Sequence, residues 1–400
     1  EGRRLYGQTV PSEMQNKNLF TFRMPVGNVF VITAGNFPTA VPSWYIVPAL
    51  LSGNSVVWKP SEFTPAVANA LTAIFHAGGV PKVILMTVVA DGAQTFAALE
   101  SGLKEGVINK VGFTGSTEVG RKIGAKAGEY IQSACLELGG KNPMIVCADA
   151  NLETFLEVAV RGCFTSAGQL CVSIERMYIH ESIYEKFLSA LVEKVKELKL
   201  GAQLGWGYDV GSLVTDALVN RVSDAVSTAV SQGAKIETGG KLRTDIGPNV
   251  YEPTVLTGVT KDMKISTEEV FGPCVYVQPF SNTEEAIALA NDSIYGLSAS
   301  VITSNARNGR QIAEQLRSGS VNINEGFAAA YGSVAAPMGG MGQSGLGRRH
   351  GIEGLLRFTQ PQTIARQRWI SIGPKFGFDE EQWTKLLGKS LLILKRLRIR

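Results

Sequence analysis

Residues 27–35 read GNVFVITAG, a β-branched run closed by glycines, and the pattern it starts decides the fold. SVVWKP (55–60), KVILMTVVA (82–90) and NKVGFTG (109–115) read as further strands. Residues 64–77 and 116–129 carry a helical period between them. Strand–helix–strand alternation implies right-handed crossovers and a parallel, doubly wound sheet. Such sheets take ligands beyond the carboxyl ends of their strands.

The alternation restarts after ELGGKNP (137–143), with strands PMIVCADA (143–150) and RMYIH (176–180) around a helix at 151–166. Helices follow at 182–199, 216–232, 283–291 and 305–316, with strands near 274–279, 298–303 and 319–323. A boundary between two α/β domains therefore falls near Gly139–Gly140. The opening GQTVPSEMQNKNLFTFRMP (7–25) has no helical period and reads as an extended hairpin; LLRFTQPQTIARQ (355–367) reads as a lone strand. These two remote β segments form either a small sheet with an edge for subunit pairing or a packed terminus. The basic, leucine-rich TKLLGKSLLILKRLRIR (384–400) reads as a helix packed on the protein or a partner subunit, in preference to an amphipathic helix on a membrane surface.

The 400 residues hold 39 Lys and Arg against 35 Asp and Glu, a net charge of +4 without a dense basic stripe, which argues against nucleic acid as a partner. Five cysteines without CxxC spacing and three scattered histidines point away from a disulfide framework and from a metal site. A reducing, cytoplasmic setting follows. No apolar run approaches a membrane span. The first residues, EGRRLYGQTVP, lack Met and a signal pattern; the chain reads as starting mid-protein, which leaves a lost targeting segment open.

Several stretches carry chemistry. GMGQSG (340–345) matches GxGxxG, but no strand precedes it, so it reads as a mobile or tight loop and not as a phosphate site. In VGFTGSTEVGRK (111–122), Gly115 allows a turn and Ser116 and Thr117 start a helix, where backbone amides favour a pyrophosphate or the serine merely caps. Lys59 and Glu62 in VVWKPSEFTP (56–65) sit at a strand's carboxyl end, either facing a ligand or solvated. Glu137 lies between Leu136 and Leu138, which makes it a desolvated base or an outward-facing strand residue. Cys171 in SAGQLCVS (166–173) is a buried inert thiol or a nucleophile.

Taken together, TAGNFP (33–38), KPSE (59–62), FTGSTEVG (113–120), LELGGKNP (136–143), GQLC (168–171), EEVFGP (268–273) and PMGGMGQSGLGR (337–348) resemble, in order and spacing, the NAD(P)-dependent aldehyde dehydrogenase superfamily. The resemblance runs to about residue 366, and AGQLCVSIER and GRRHGIEGLL look most like actinobacterial-type succinate-semialdehyde dehydrogenases. It implies a Rossmann-like cofactor domain over 27–139, with the family's leading segment absent, and an α/β catalytic domain over 140–340. Residues 1–26 would be an oligomerisation hairpin, 341–366 a return loop and oligomerisation strand, and 367–400 a tail, in a homodimer or homotetramer.

The resemblance also implies roles. Cys171 would attack the aldehyde, Asn36 and the Cys171 amide would hold the oxyanion, and Glu137 would activate the water that hydrolyses the thioester. Lys59 and Glu62 would meet the adenosine ribose, Gly115 and Ser116 the pyrophosphate, and Glu269 and Phe271 the nicotinamide end, with Ser61 and Leu138 also binding the cofactor. Glu62 should accept from a free 2′-hydroxyl and repel a 2′-phosphate, so NAD is expected over NADP, although Lys59 leaves NADP open. Gly35, Tyr45 and Ala90 depart from the family's usual Trp, Lys and Gly. Well-studied succinate-semialdehyde enzymes carry arginines where this chain has Trp44 and Thr165, which favours an apolar or aromatic aldehyde against the nearest-looking subgroup. Two rivals remain: acyl transfer to coenzyme A, which the presence of Glu137 opposes, and a non-catalytic member of the fold.

Overall fold

Glycine, proline and β-branched residues set the order of elements along the chain. The computed structural model describes residues 2–14, 16–368 and 373–398. The opening is an antiparallel pair, β1 (Gln8–Val10) and β2 (Lys17–Pro25), with Gln8 opposite Thr21.

The first parallel sheet follows: β3 (Asn28–Ile32), α1 (Ala40–Leu51), β4 (Ser55–Lys59), α2 (Pro65–Ala77), β5 (Leu85–Thr87), α3 (Gly92–Lys104), β6 (Lys110–Thr114), α4 (Thr117–Glu129) and β7 (Ser133–Glu137). Its parallel strands lie in the order β7-β6-β3-β4-β5. The chain thus winds outward from β3 in both directions, and the reversal between β3 and β6 opens a crevice at their carboxyl ends. Along β3 the pleat sends Val29 and Val31 into one core and Phe30 and Ile32 into the other, as a sheet covered on both faces requires.

Two features of this sheet differ from the sequence expectation. The strand expected over 82–90 shrinks to Leu85–Thr87, because β5 is an edge and its flanking Val83 and Val88 stand in solvent. Helix α1 has no sequence signature: Pro42 and Pro48 interrupt it and apolar residues surround it. It holds because Val41, Tyr45, Ile46 and Ala49 are buried, and Pro42 falls in the first turn, where its missing N–H costs nothing.

The second sheet contains β8 (Asn142–Val146), α5 (Leu152–Phe164), β9 (Ile174–His180), α6 (Tyr184–Lys196), α7 (Asp216–Ser231), β10 (Lys235–Thr238), β11 (Thr254–Thr257), the single turn α8 (Lys264–Thr267), β12 (Cys274–Phe280), α9 (Thr283–Asn291), β13 (Ser298–Ile302), α10 (Ala306–Ala313), β14 (Ser320–Ile323) and the short α11 (Ala328–Tyr331). Its order is β10-β11-β12-β9-β8-β13-β14, parallel except for β10. Val222, Phe187, Val301 and Ile312 close one continuous core around it.

The chain then returns to the first sheet. GMGQSG forms a tight turn into β15 (Gly345–Leu346), which pairs antiparallel to β7 with Gly345 opposite Glu137. Leu355 and Leu356 end a helix, α12 (Gly351–Leu356), and do not belong to the strand that follows, β16 (Thr359–Gln367). β16 is no lone strand: it completes a three-stranded sheet, β1-β2-β16, with Lys17 Nζ donating to Gln367 Oε1 at 2.8 Å.

The tail folds into α13 (Glu380–Arg396), started by an Asp379–Gln382 capping box. Among the described residues none of α13 is buried, and Leu386, Leu387, Leu391 and Leu392 are exposed. No helix among the described residues is long and apolar enough to cross a membrane.

Candidate active site

Cys171 sits in a loop between α5 and β9 that backbone strain shapes. Ser166 and Ala167 adopt left-handed conformations at φ 52° and 55°, which cost about 1–2 kcal/mol each for residues with a Cβ. Gly168 continues the run at φ 69°, where a Cβ would lie 2.1 Å from the Gly272 carbonyl oxygen. The GQLC turn is therefore moulded onto the EEVFGP turn, and the glycine is obligatory. Asn142 Nδ2 donates to the Cys171 carbonyl at 2.9 Å, while the Cys171 N–H makes no hydrogen bond among the described residues. The thiol is half-buried; burial pushes its pKa up, and Arg349 works against that shift.

Asn36 follows the end of β3. Its Nδ2 donates to the Gln169 carbonyl at 2.9 Å, which ties it to the cysteine loop, and its Oδ1 is buried without a partner. Glu137 ends β7, and the glycine-rich return clamps it: Leu138 N–H donates to the Ser344 carbonyl at 2.9 Å beside the Gly345–Glu137 pair. Its side chain is buried, and neither carboxylate oxygen has a partner. Burial raises its pKa, against the charges of Arg349, Arg357 and Arg348. Of the two sequence readings, the outward-facing strand residue is excluded.

Asn36, Glu137, Cys171, Glu269 and Phe271 line one cavity of about 170 Å³. A larger cleft of about 890 Å³ is lined by Lys59, Ser61, Glu62, Gly115, Ser116 and Phe271. Ala34, Asn36, Thr114, Gly115, Ser116 and Phe271 line both, so the two spaces are continuous. The cleft lies at the strand-order reversal, beyond the carboxyl ends of β3 and β6. The amino ends of β9 and β12 supply Cys171 and Phe271 on the other side.

The cleft residues fit a dinucleotide. Ser116 caps α4 by accepting from Val119 N–H, which leaves other first-turn amides, without helical partners, for a pyrophosphate. The capping reading of Ser116 is thus observed, and it leaves room for the other. Lys59 Nζ bonds Glu62 Oε2 at 2.8 Å, which leaves Oε1 for a ribose hydroxyl. Burial pushes the Glu62 carboxyl up, but Lys59 holds it below its usual value, so it stays ionised. Glu269 accepts from Gly140 N–H at 2.9 Å through Oε1, and burial beside Glu175 raises its pKa to about 7. Leu138 is buried against Gly120 of α4, where a Cβ would meet Leu138 Cδ2 at 2.3 Å.

Sequence reasoning missed the groups behind these residues. Lys141 and Glu175 form a fully buried ion pair at 2.5 Å, and Glu175 also accepts from Val270 and Phe271 N–H at 2.9 Å. The pair fixes the turn that carries Glu269 and Phe271; removing one partner of such a pair typically costs about 3–5 kcal/mol. Lysine and asparagine inside the apolar run LELGGKNPMIV were the available signal. Tyr45, which stands where many family members have lysine, is buried and donates to the Phe113 carbonyl at 3.0 Å. Arg349 gave no signal at all.

The chain matches the aldehyde dehydrogenase family over residues 1–364. It is 44% identical over 363 residues to a Mycobacterium tuberculosis protein named "Putative succinate-semialdehyde dehydrogenase (NADP(+)) 2", covering 91% of this chain and 69% of that one. It is 38% identical to the mitochondrial succinate-semialdehyde dehydrogenase of Oryza sativa, over 91% of this chain and 68% of the relative. The NAD+ complex of betaine aldehyde dehydrogenase from Staphylococcus aureus superposes with a TM-score of 0.87 at 34% identity, over 93% of this chain and 73% of that one. An aldehyde dehydrogenase from Brucella melitensis gives 0.86 at 36%, over 92% and 74%. With the doubly wound sheets and the joined cavities, these likenesses settle the assignment: the chain belongs to the aldehyde dehydrogenase family of NAD(P)-dependent oxidoreductases.

Proposed function

We propose that Cys171, Asn36 and Glu137 carry the oxidation of a short aldehyde to its carboxylic acid. The Cys171 thiolate adds to the carbonyl carbon, and the oxygen takes up the displaced electron pair. Asn36 Nδ2 and the unpartnered Cys171 N–H donate to that oxyanion. When bound, NAD(P)+ supplies the hydride acceptor, and loss of hydride from the adduct leaves a thioester on Cys171. Glu137 takes a proton from water, the hydroxide displaces the thiolate, and the acid departs.

The observation that carries this reading is the meeting of all three side chains in one cavity of about 170 Å³ that opens into the dinucleotide cleft. A raised Glu137 pKa suits a base, because a carboxylate with an ordinary pKa takes protons poorly. The experiment is an aldehyde panel (succinate semialdehyde, butanal, benzaldehyde) with NAD or NADP, followed by NADH or NADPH absorbance. Turnover of at least one aldehyde is expected; a folded chain that binds NADH and oxidises none points to a non-catalytic member.

We further propose NAD over NADP. The ionised Glu62, with Lys59 already engaged, should repel a 2′-phosphate, and kcat/KM is expected to favour NAD about tenfold, the worth of one charged contact. The NADP in the mycobacterial relative's name stands against this. A clear NADP preference at matched concentrations refutes it.

The chain is also proposed to assemble as a homodimer or homotetramer. Exposed Leu386, Leu387, Leu391 and Leu392 on α13 and the small three-stranded sheet support pairing between copies, ahead of contact with a membrane surface. Sedimentation of the full chain is expected to give a dimer or larger; a monomer at micromolar concentration contradicts it.

A further inference from the structure

Arg349 enters the catalytic cavity from the return segment after β15, held by reciprocal backbone bonds to Met338 at 2.7 Å. It is 1% exposed. Its guanidinium carbon lies 4.1 Å from the Trp44 ring centroid, in cation–π range. One terminal nitrogen donates to Met338 Sδ at 3.2 Å, a weak acceptor, and Nε is buried without a partner. Among the described residues no carboxylate lies within 4 Å of it. A buried guanidinium is costly unless an anion meets it, and its planar fork matches a carboxylate.

The surroundings say what kind of molecule would bring that anion. Phe37, Trp44 and Tyr331 form an aromatic wall, with ring centroids 5.1 Å apart for Phe37–Tyr331 and 5.3 Å for Trp44–Tyr331. Cys171, Phe37, Phe327 and Tyr331 all pack against one apolar cluster of Leu170, Val172, Leu297 and Met338. The walls are thus apolar around the nucleophile, and Arg349 is the cation set among them. A cavity of about 170 Å³ suits a short chain better than a large ring system. The other charged side chains lining it are Glu137, Glu269 and Arg221. Arg221 donates to the Glu269 backbone carbonyl, and its charge acts on the Glu269 carboxyl.

We propose that Arg349, stacked on Trp44 inside the Cys171 cavity, anchors a carboxylate at the far end of a short aldehyde chain, so that the substrate class is the semialdehyde of a dicarboxylic acid. The inference rests on the aldehyde-oxidising reading above. It runs against the expectation of an apolar or aromatic aldehyde drawn from Trp44 and Thr165: the tryptophan carries the positive charge on its face. Arg349 has a competing use, since its guanidinium is within hydrogen-bonding reach of the Cys171 side chain and its charge favours the thiolate. That use would serve every aldehyde alike, and this difference makes the two separable.

The test compares kcat/KM for succinate semialdehyde and for butanal, which replaces the carboxylate with a methyl group, in the wild type, Arg349→Met and Arg349→Lys. The wild type is expected to prefer the semialdehyde. In Arg349→Met the semialdehyde-to-butanal ratio should fall about 100-fold, chiefly through KM, and Arg349→Lys should recover part of it. A ratio that stays within about threefold of wild type while both rates fall means that Arg349 serves the thiol, and the proposal fails. A wild type without preference for the semialdehyde also overturns it, even if Arg349→Met does not fold, which NADH titration would show. A wild type that oxidises benzaldehyde but neither of these two also overturns the proposal, whereas one that oxidises no aldehyde of the panel with either cofactor refutes the underlying reading instead.

Discussion

Replacing Cys171 by alanine is expected to lower aldehyde oxidation by about 10⁴-fold or more, while NADH binding persists. The expectation follows from the way the loop is built. Left-handed Ser166 and Ala167 and an obligatory Gly168 lift residue 171 into the cavity, and Asn142 holds its carbonyl. No other cysteine can take over: Cys135, Cys147, Cys163 and Cys274 are all buried, and none lines the catalytic cavity. Burial raises their thiol pKa values as well, to about 11 for Cys147 and about 12 for Cys274. Steady turnover by Cys171→Ala within tenfold of wild type would remove the thioester route.

Glu137→Gln separates the two halves of the reaction. The amide keeps the shape of the side chain but cannot take a proton from water, so steady-state turnover should drop about 10²–10⁴-fold. On the proposed roles, adduct formation and hydride loss need Cys171, the oxyanion donors and NAD(P)+ but not Glu137, so a rapid burst of NADH, stoichiometric with enzyme, should survive. The geometry supports this division. Glu137 is fixed by β15 from the return segment, whereas Asn36 and Cys171 are tied together through Gln169. Loss of the burst along with turnover would place Glu137 before hydride loss, as the base for the thiol.

The two-sheet fold was legible because GNVFVITAG, SVVWKP and NKVGFTG are short β-branched runs with helical periods between them. Buried strands covered on both faces read that way in any sequence. Helix α1 was not, because its prolines argue locally for a break and only burial of Tyr45 and Ile46 overrides them. The site was half legible. Cys171, Glu137 and Asn36 lie within motifs whose order carried the resemblance, and the structure brings them to one cavity. Arg349 sits 178 positions after Cys171 in an arginine pair that reads as surface charge, and no local pattern signals that it folds back onto Trp44. Lys141 and Glu175 were silent for the same reason: a buried ion pair is a relation between strands, invisible in either one. For α13, sequence gives the apolar stripe but not its partner.

The central claim is a covalent acyl group on one sulfur, and mass spectrometry of the quenched reaction reads it directly. Glu137→Gln, mixed with succinate semialdehyde and NAD(P) and stopped in acid within the burst, should gain the mass of one acyl group per chain. Peptide mapping should put that mass on the segment containing Cys171. A burst of NADH with no added mass, or with the acyl group on another residue, would contradict the account.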